Sequence, residues 1–239
     1  MKHHKTLSKF LPNLIILVTF LLLSTTRTIA QEVEDESEFD YIKGSEKGPA
    51  HWGELKKEWA TCKNGRLQSP IDLSSHRVKV VPKLGELKKY YKPQNATIKN
   101  RGHDIQVHLV HESAKINGKS KIAVIGLFYK IGRPDRVLTK LSKYIKSMVD
   151  TEADRSIGVF DPSEIKLGGK KYYRYMGSLT VPPCTEGVFW TINKKIRSVS
   201  RAQVELLREA VHDHAEKNAR PIQLLNRRKI QLYRPNWKK

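Results

Sequence analysis

The sequence contains no apolar run long enough to cross a membrane. Its longest one, residues 13–23, has about 11 residues, whereas a membrane-spanning helix needs roughly 20. Lysines precede this run and the small-residue exit Thr28-Ile29-Ala30 follows it, a pattern typical of a secretory signal. We therefore predict a signal peptide at residues 1–30 and no membrane span after its cleavage, with an uncleaved signal anchor as the alternative.

Cysteine is scarce as well, because the chain has only Cys62 and Cys184. In an oxidising compartment two distant cysteines most simply pair, and closing a loop of about 120 residues would stabilise the fold by about 4–5 kcal/mol. Two free buried thiols are the alternative. The secretory route also makes Asn95, in the acceptor sequence Asn95-Ala96-Thr97, a predicted glycosylation site.

Acidic residues are few: 24 Asp and Glu stand against 45 Lys and Arg, a formal net charge of +21. The positive charge is spread in doublets, such as Lys170-Lys171, and is not gathered into one arm. Such a surface attracts polyanions, among them acidic polymers of a cell wall and nucleic acids. No nucleic-acid-binding motif is present, so we predict no dedicated nucleic-acid binding. An ordinary solvated surface is the preferred interpretation, and polyanionic wall polymers are the partner class that the charge would suit.

The chain also lacks internal repeats and a linker rich in proline or serine. An acidic N-terminal arm is predicted at residues 31–40 and one domain at 41–239. Strand-like segments lie at 95–113, 122–132, 170–180 and 187–196, and the apolar density of 122–132 suits a strand covered on both faces. Helices are predicted at 135–149 and at 201–214, the second opened by a capping box of Ser200 and Gln203. The pattern predicts a mainly β domain with peripheral helices.

The histidines do not form an obvious metal site. A catalytic zinc generally takes three protein ligands and keeps one position open for water. His212 and His214 are spaced by one residue, but they lie at the end of a predicted helix, where about 200° of rotation separates them. His108 and His111 would lie on opposite faces of a strand, and His103 would lie about 16 Å from His108. From these residues alone, His108 reads as a half-buried strand histidine more readily than as a ligand.

Several sequence blocks favour the other interpretation of His108, that of a metal ligand. The chain resembles the plant alpha-type carbonic anhydrases over nearly all of its length after residue 30, most specifically in "QSPIDL" at 68–73 and "GSLTVPPCTEG" at 177–187, and also in "NARPIQLLNRR" at 218–228. The resemblance implies a twisted, largely antiparallel sheet of ten strands with short helices outside. It also implies a bound zinc, hydration of carbon dioxide to bicarbonate, and pairing of Cys62 with Cys184.

The resemblance implies roles for individual residues too. His108 matches the third zinc histidine, and His103 matches the histidine that shuttles the proton to solvent. Thr180 matches the threonine that accepts a hydrogen bond from the zinc-bound hydroxide and orients it. The apolar wall that receives carbon dioxide is matched by four residues, namely Val110, Val124, Leu179 and Trp190.

The chain departs from the family between "GHDI" and "HLVH". There the family has several dozen more residues, which carry the first two zinc histidines and a glutamate that accepts the threonine proton. Gln106 stands where the family has a glutamate that orients the third histidine. The resemblance therefore predicts an incomplete zinc site, about two missing strands, and impaired or absent activity. The clean, in-frame gap suggests a skipped exon or a mistaken gene model, with a longer transcript that encodes an active enzyme.

Two other interpretations remain open at this point. One is a secreted non-enzymatic protein on the same scaffold, either a storage protein or a wall-associated one. The other is an intact hydratase in which His51, His76 or the 212–214 pair has been recruited to His108. The predicted location is the secretory pathway, extracellular or endomembrane, and entry into the chloroplast by that route is the alternative.

Overall fold

Two neighbouring strands of the main sheet are rich in buried apolar residues. In the computed structural model, β4 (Ile122–Gly126) and β8 (Glu186–Asn193) run parallel, with Val124 opposite Trp190 and Ile122 opposite Val188. All four of these side chains are buried. The continuous run at 122–132 is not one strand, however: it ends at Gly126 and resumes as β5 (Tyr129–Ile131). Phe128 and Ile131 are about half exposed, so only the first part of the run is covered on both faces.

The structure describes residues 38–74, 76–100, 109–112, 122–149, 154–211 and 218–235, with the backbone alone at 109–112. Over these residues the central sheet has six strands in the order β1-β10-β7-β8-β4-β3. The strands not yet given are β1 (Val78–Val80), β3 (Leu109–Glu112), β7 (Tyr172–Ser178) and β10 (Ile230–Tyr233). The β1/β10 and β4/β8 pairs are parallel and the other three pairs are antiparallel, so the sheet is mixed.

Four further strands form two separate ribbons. β2 (Gln94–Lys99) pairs antiparallel with β6 (Asp154–Phe160), and β5 pairs parallel with β9 (Arg197–Val199). The mainly β class with peripheral helices is thereby confirmed. The described residues thus divide ten strands into groups of six, two and two, whereas the resemblance implied one sheet of ten.

Two longer helices pack against each other outside the sheet. α3 (Arg136–Lys146) is capped by Asp135, whose carboxylate accepts hydrogen bonds from the backbone N–H groups of Val137 and Leu138. α4 (Arg201–Ala210) begins with the predicted capping box, in which Ser200 and Gln203 satisfy each other's backbone N–H groups. Ile145 of α3 and Leu206 of α4 are buried in the shared cluster. His212 and His214 lie outside the described residues.

The N-terminal part of the described chain is held by aromatic packing and a disulfide. α1 (Trp52–Leu55) and α2 (Thr61–Asn64) flank a short 3₁₀ helix at Lys57–Trp59. The buried cluster here comprises Phe39, Tyr41, Trp52, Trp59, Cys62, Val181 and Cys184. Cys62 and Cys184 are bonded, which confirms the predicted pairing. Only residues 38–40 of the predicted acidic arm are described, and there Phe39 is 1% exposed.

No helix in the described ranges has the length and apolar character that crossing a membrane requires.

Candidate active-site cavity

The turn that follows β7 holds Thr180 in a fixed position. Ser178 is fully buried, and its backbone and hydroxyl exchange hydrogen bonds with Ser69: the Ser69 N–H donates to Ser178 Oγ (2.9 Å) and the Ser178 N–H donates to Ser69 Oγ (3.1 Å). The Leu179 N–H donates to the Thr185 carbonyl (2.9 Å), which closes the turn. Thr180 therefore directly follows two anchored residues, the first of which is bonded to a residue more than a hundred positions away in sequence.

A buried network supports this turn from the side of the disulfide. Gln68 donates through Nε2 to the Cys184 carbonyl (3.2 Å) and to Glu186 Oε1 (2.9 Å). Arg220 donates to Gln68 Oε1 (2.7 Å), to the Ser69 carbonyl (3.0 Å) and to the Cys62 carbonyl (2.8 Å). Burial lowers the pKa of the Arg220 guanidinium from its usual 12.5 to about 10. These hydrogen bonds thus join residues 62–69, residues 184–186 and Arg220 to one another beside the turn that carries Thr180.

Sequence reasoning assigned no role to Gln68, Glu186 or Arg220. Each lies inside a block that carries the family resemblance, "QSPIDL", "PPCTEG" and "NARPIQ" respectively. Membership of those blocks was the signal that the sequence offered for these three residues. Their partners could not be predicted: charged residues are seldom fully buried without a compensating partner, but the structure is needed to identify it.

Thr180 opens onto a cavity of about 530 Å³. Trp190 forms part of the wall, and its indole Nε1–H donates to the Ser178 carbonyl (2.8 Å), which fixes the ring beside the turn. Most of the remaining lining is apolar and comes from both helices and the central sheet, including Leu138, Ile192, Val199, Val204 and Leu207. The polar contributions are few, with Thr180, Tyr175, Asn218 and Arg220 among them.

Tyr175 borders the cavity beside Trp190. The two rings are stacked with centroids 6.4 Å apart, and the Tyr175 hydroxyl lies 3.3 Å from Ser69 Oγ. Burial raises the pKa of the Tyr175 phenol to about 12. At neutral pH this phenol is therefore a neutral hydrogen-bonding group and not a base.

The structure brings some of the sequence-predicted site residues together. Thr180 and Trp190 line the same cavity, whereas Val124 and Leu179 are buried next to it, Val124 directly across the β4/β8 pair from Trp190. Val110 is described by its backbone alone, which pairs with Val124. Asn95 is exposed on β2, opposite Val159.

The predicted zinc ligand His108, the predicted shuttle His103 and Gln106 lie outside the described residues. Within the described ranges, no three His, Cys, Asp or Glu side chains come together in a cation site. His51 bonds instead to Glu54 (2.9 Å) at the surface, and His76 lines an open groove with Asp72 and Arg77. Both cysteines are consumed in the disulfide.

Comparison with solved structures defines the fold class. A dioscorin complexed with ascorbate superposes with a TM-score of 0.74 and 34% identity, over 84% of this chain and 99% of that one. A hyperthermostable carbonic anhydrase from a hydrothermal vent chimney gives a TM-score of 0.63 and 28% identity, over 82% and 100% of the two chains. The fold is therefore that of the alpha carbonic anhydrases.

Sequence comparison then identifies the family. The model of the eukaryotic-type carbonic anhydrase family matches residues 47–121 and 112–234. Alpha carbonic anhydrase 7 of Arabidopsis thaliana is 42% identical over 267 positions, which cover 95% of this chain and 96% of the relative. The chain belongs to the eukaryotic-type carbonic anhydrase family.

Proposed function

We propose that this chain is a secreted carbonic anhydrase-family protein whose hydration of carbon dioxide is lost or severely impaired, because the segment with two of the three zinc histidines is missing. The carrying observation is in the sequence, where only His108 matches one of the three zinc histidines of the family. One imidazole does not hold a catalytic zinc at useful affinity, since such sites use three protein ligands.

The alignments support a gap in this chain. The 267 aligned positions with the Arabidopsis relative exceed the 239 residues present here, so part of the relative has no counterpart. The family model matches in two pieces that overlap at residues 112–121. This overlap begins a few residues after the stretch between Asp104 and His108, where two sequence blocks that are separate in the family are joined. Both facts agree with loss of an internal segment from an otherwise continuous family member.

The rest of the site is built for the family reaction. In relatives that bind it, zinc supplies a hydroxide at neutral pH. The residues of this chain would contribute Thr180, on a turn with an anchored backbone, and an apolar cavity whose wall would receive carbon dioxide. The Ser69–Ser178 hydrogen bonds and the Trp190 indole would keep Thr180 in place throughout.

The decisive experiment compares the chain as written with a restored chain. Zinc content by elemental analysis and carbon dioxide hydration by stopped flow are measured on the secreted protein. They are measured again after the missing segment of the Arabidopsis relative is inserted between Asp104 and His108. We expect little zinc and little activity in the first protein and near-stoichiometric zinc with activity in the second.

A substitution serves as the matched control. His108→Ala in the restored chain should abolish both zinc and hydration. Near-stoichiometric zinc and robust hydration in the unrestored chain, both lost in its own His108→Ala variant, would contradict the proposal. Sequencing the cDNA across the codons for Asp104–His108 separately tests whether a longer transcript exists.

A second candidate is a non-enzymatic storage or wall-associated protein on the same scaffold. It is favoured by the family resemblance, since some plant members of this family serve as storage proteins with impaired zinc sites. The chain also superposes on a dioscorin with a TM-score of 0.74, against 0.63 for the hydrothermal-vent carbonic anhydrase. Abundant accumulation of metal-free protein in the tissue of origin would favour this candidate, and tightly bound zinc would argue against it.

Entry into the secretory pathway belongs to the same proposal. N-terminal sequencing of the mature protein should begin at Gln31, directly after the predicted cleavage site at Ala30. Retention of residues 1–30 would support the uncleaved signal anchor, and recovery of the mature protein from chloroplasts would support the alternative destination.

A further inference from the structure

Two lysine doublets that are far apart in sequence meet at one end of the central sheet. Lys170 and Lys171 stand immediately before β7, and Lys194 and Lys195 immediately follow β8. Antiparallel pairing places them opposite each other, with the Lys194 N–H donating to the Lys171 carbonyl (3.0 Å). All four side chains are exposed, and we call them the lysine quartet.

The lysine quartet is poorly neutralised. Like charges placed opposite each other on paired strands are destabilising. Only Lys170 has a carboxylate partner within the described ranges, Glu86 at 3.3 Å, whereas Lys194 lies over the ring of Tyr173 with its ammonium 5.6 Å from the centroid. A ligand with several negative charges would therefore gain from this arrangement, since at the other three lysines it would break no ion pair made by a described residue.

A small cavity with a mixed polar and apolar lining opens beside the lysine quartet. Its volume is about 200 Å³, and its charged lining consists of Lys170, Lys89 and the carboxylate of Glu86, which pairs with Lys170. Thr191 and Asn193, each 5% exposed, also line it and supply hydroxyl and amide groups. Cations and hydrogen-bonding groups at one cavity suit a molecule that carries hydroxyl groups and a carboxylate, which would compete with Glu86 for Lys170.

Two glycines form part of the wall of this cavity. Gly168 and Gly169 line the same cavity with φ values of 62° and 76°, a backbone conformation that side-chain-bearing residues rarely adopt. The alkyl chain of Lys195 packs over Gly168, with its Cδ 3.1 Å from where a Cβ would stand. The Asn193 side chain in turn accepts a hydrogen bond from the Lys195 N–H (2.8 Å). The cavity wall and the second doublet are thus one connected structure.

We propose that the lysine quartet and the adjoining cavity bind a polymer of uronic-acid sugars, with one sugar in the cavity and neighbouring carboxylates on the lysines. A polymer is favoured over a single sugar because the cations extend beyond the cavity, and electrostatic attraction then acts on several carboxylates at once. The predicted secretory route favours an extracellular polysaccharide over nucleic acid, and the hydroxyl and amide groups of Thr191 and Asn193 in the cavity favour it over a lipid surface. The site is separate from the Thr180 cavity, so the proposal does not depend on hydration activity.

The test compares two double variants with the same loss of charge. Lys194→Gln/Lys195→Gln removes half of the lysine quartet. The matched control, Lys143→Gln/Lys146→Gln, removes two exposed lysines of α3 that have no carboxylate partner within the described ranges. Binding of the full secreted chain to polygalacturonate is measured by affinity electrophoresis at several salt concentrations, and thermal unfolding confirms that both variants are folded.

We expect the quartet variant to weaken polygalacturonate binding about tenfold at low salt and the control variant to weaken it less than about threefold. Methyl-esterified polymer, which lacks the charge, should bind poorly to all three proteins. Equal losses in the two variants would mean that overall charge alone drives binding and would overturn the proposal. Absence of binding to polygalacturonate, or equally tight quartet-dependent binding to DNA or to phosphatidylserine vesicles, would overturn it as well. If the quartet variant unfolds early, Lys170→Gln/Lys171→Gln provides the second test of the same expectation.

Discussion

Replacing Arg220 with methionine tests whether the buried network truly fixes the turn that carries Thr180. Methionine keeps most of the alkyl packing and removes three charge-assisted hydrogen bonds, those to Gln68 Oε1 and to the carbonyls of Cys62 and Ser69. Such bonds contribute roughly 1.5–3 kcal/mol each. The lowered pKa of Arg220 corresponds to a burial cost of about 3 kcal/mol that the variant no longer bears. We therefore expect a net loss of about 2–6 kcal/mol in the free energy of unfolding.

Urea denaturation under non-reducing conditions measures this loss, with Arg208→Met as the control. Arg208 is an exposed residue of α4, where methionine is a good helix former, so its replacement should change the free energy of unfolding by less than about 0.5 kcal/mol. Arg220→Lys should be nearly as destabilising as Arg220→Met, because one ammonium cannot reach three acceptors held in a fork. An Arg220→Met variant as stable as the control would refute the idea that the network supports the turn.

Three further outcomes follow from the described residues. Trp190→Phe should destabilise by about 1–2 kcal/mol in thermal unfolding, because the buried Ser178 carbonyl loses its donor; unchanged stability would argue that the indole does not fix the turn. Since burial raises the pKa of Tyr175 in the folded chain to about 12, stability should fall as the pH rises from 10 to 12, and less steeply in Tyr175→Phe; identical slopes would contradict the assignment. Asn95→Gln should lower the apparent mass of the secreted protein on electrophoresis by the mass of one glycan, because Asn95 is exposed; an unchanged apparent mass would mean that Asn95 is not glycosylated.

Local signals in the sequence predicted local structure well. The capping box of Ser200 and Gln203 depends on residues three positions apart, and the structure contains it. The Cys62–Cys184 bond was predictable because two cysteines in an oxidising compartment leave one pairing. The mainly β class followed from strand-like segments that recur along the chain.

Features that depend on distant partners were not predictable in the same way. The break between β4 and β5 is hidden in a continuous apolar run, because each half pairs with a different strand, β8 or β9. The parallel pairing of β1 with β10 joins segments about 150 residues apart and leaves no periodic trace. For the site, Thr180 and Trp190 were found through the family resemblance, whereas Arg220 was missed because its acceptors lie more than 150 residues away in sequence.

The anchoring of the Thr180 turn is confined to parts of the chain distant in sequence from the predicted histidine ligand. Every partner identified for that turn and its network, from Ser69 to Arg220, lies outside residues 101–121. A change of sequence within 101–121 therefore removes none of the hydrogen bonds identified for this turn, and an inserted segment there would meet a loop whose backbone is held by other parts of the protein.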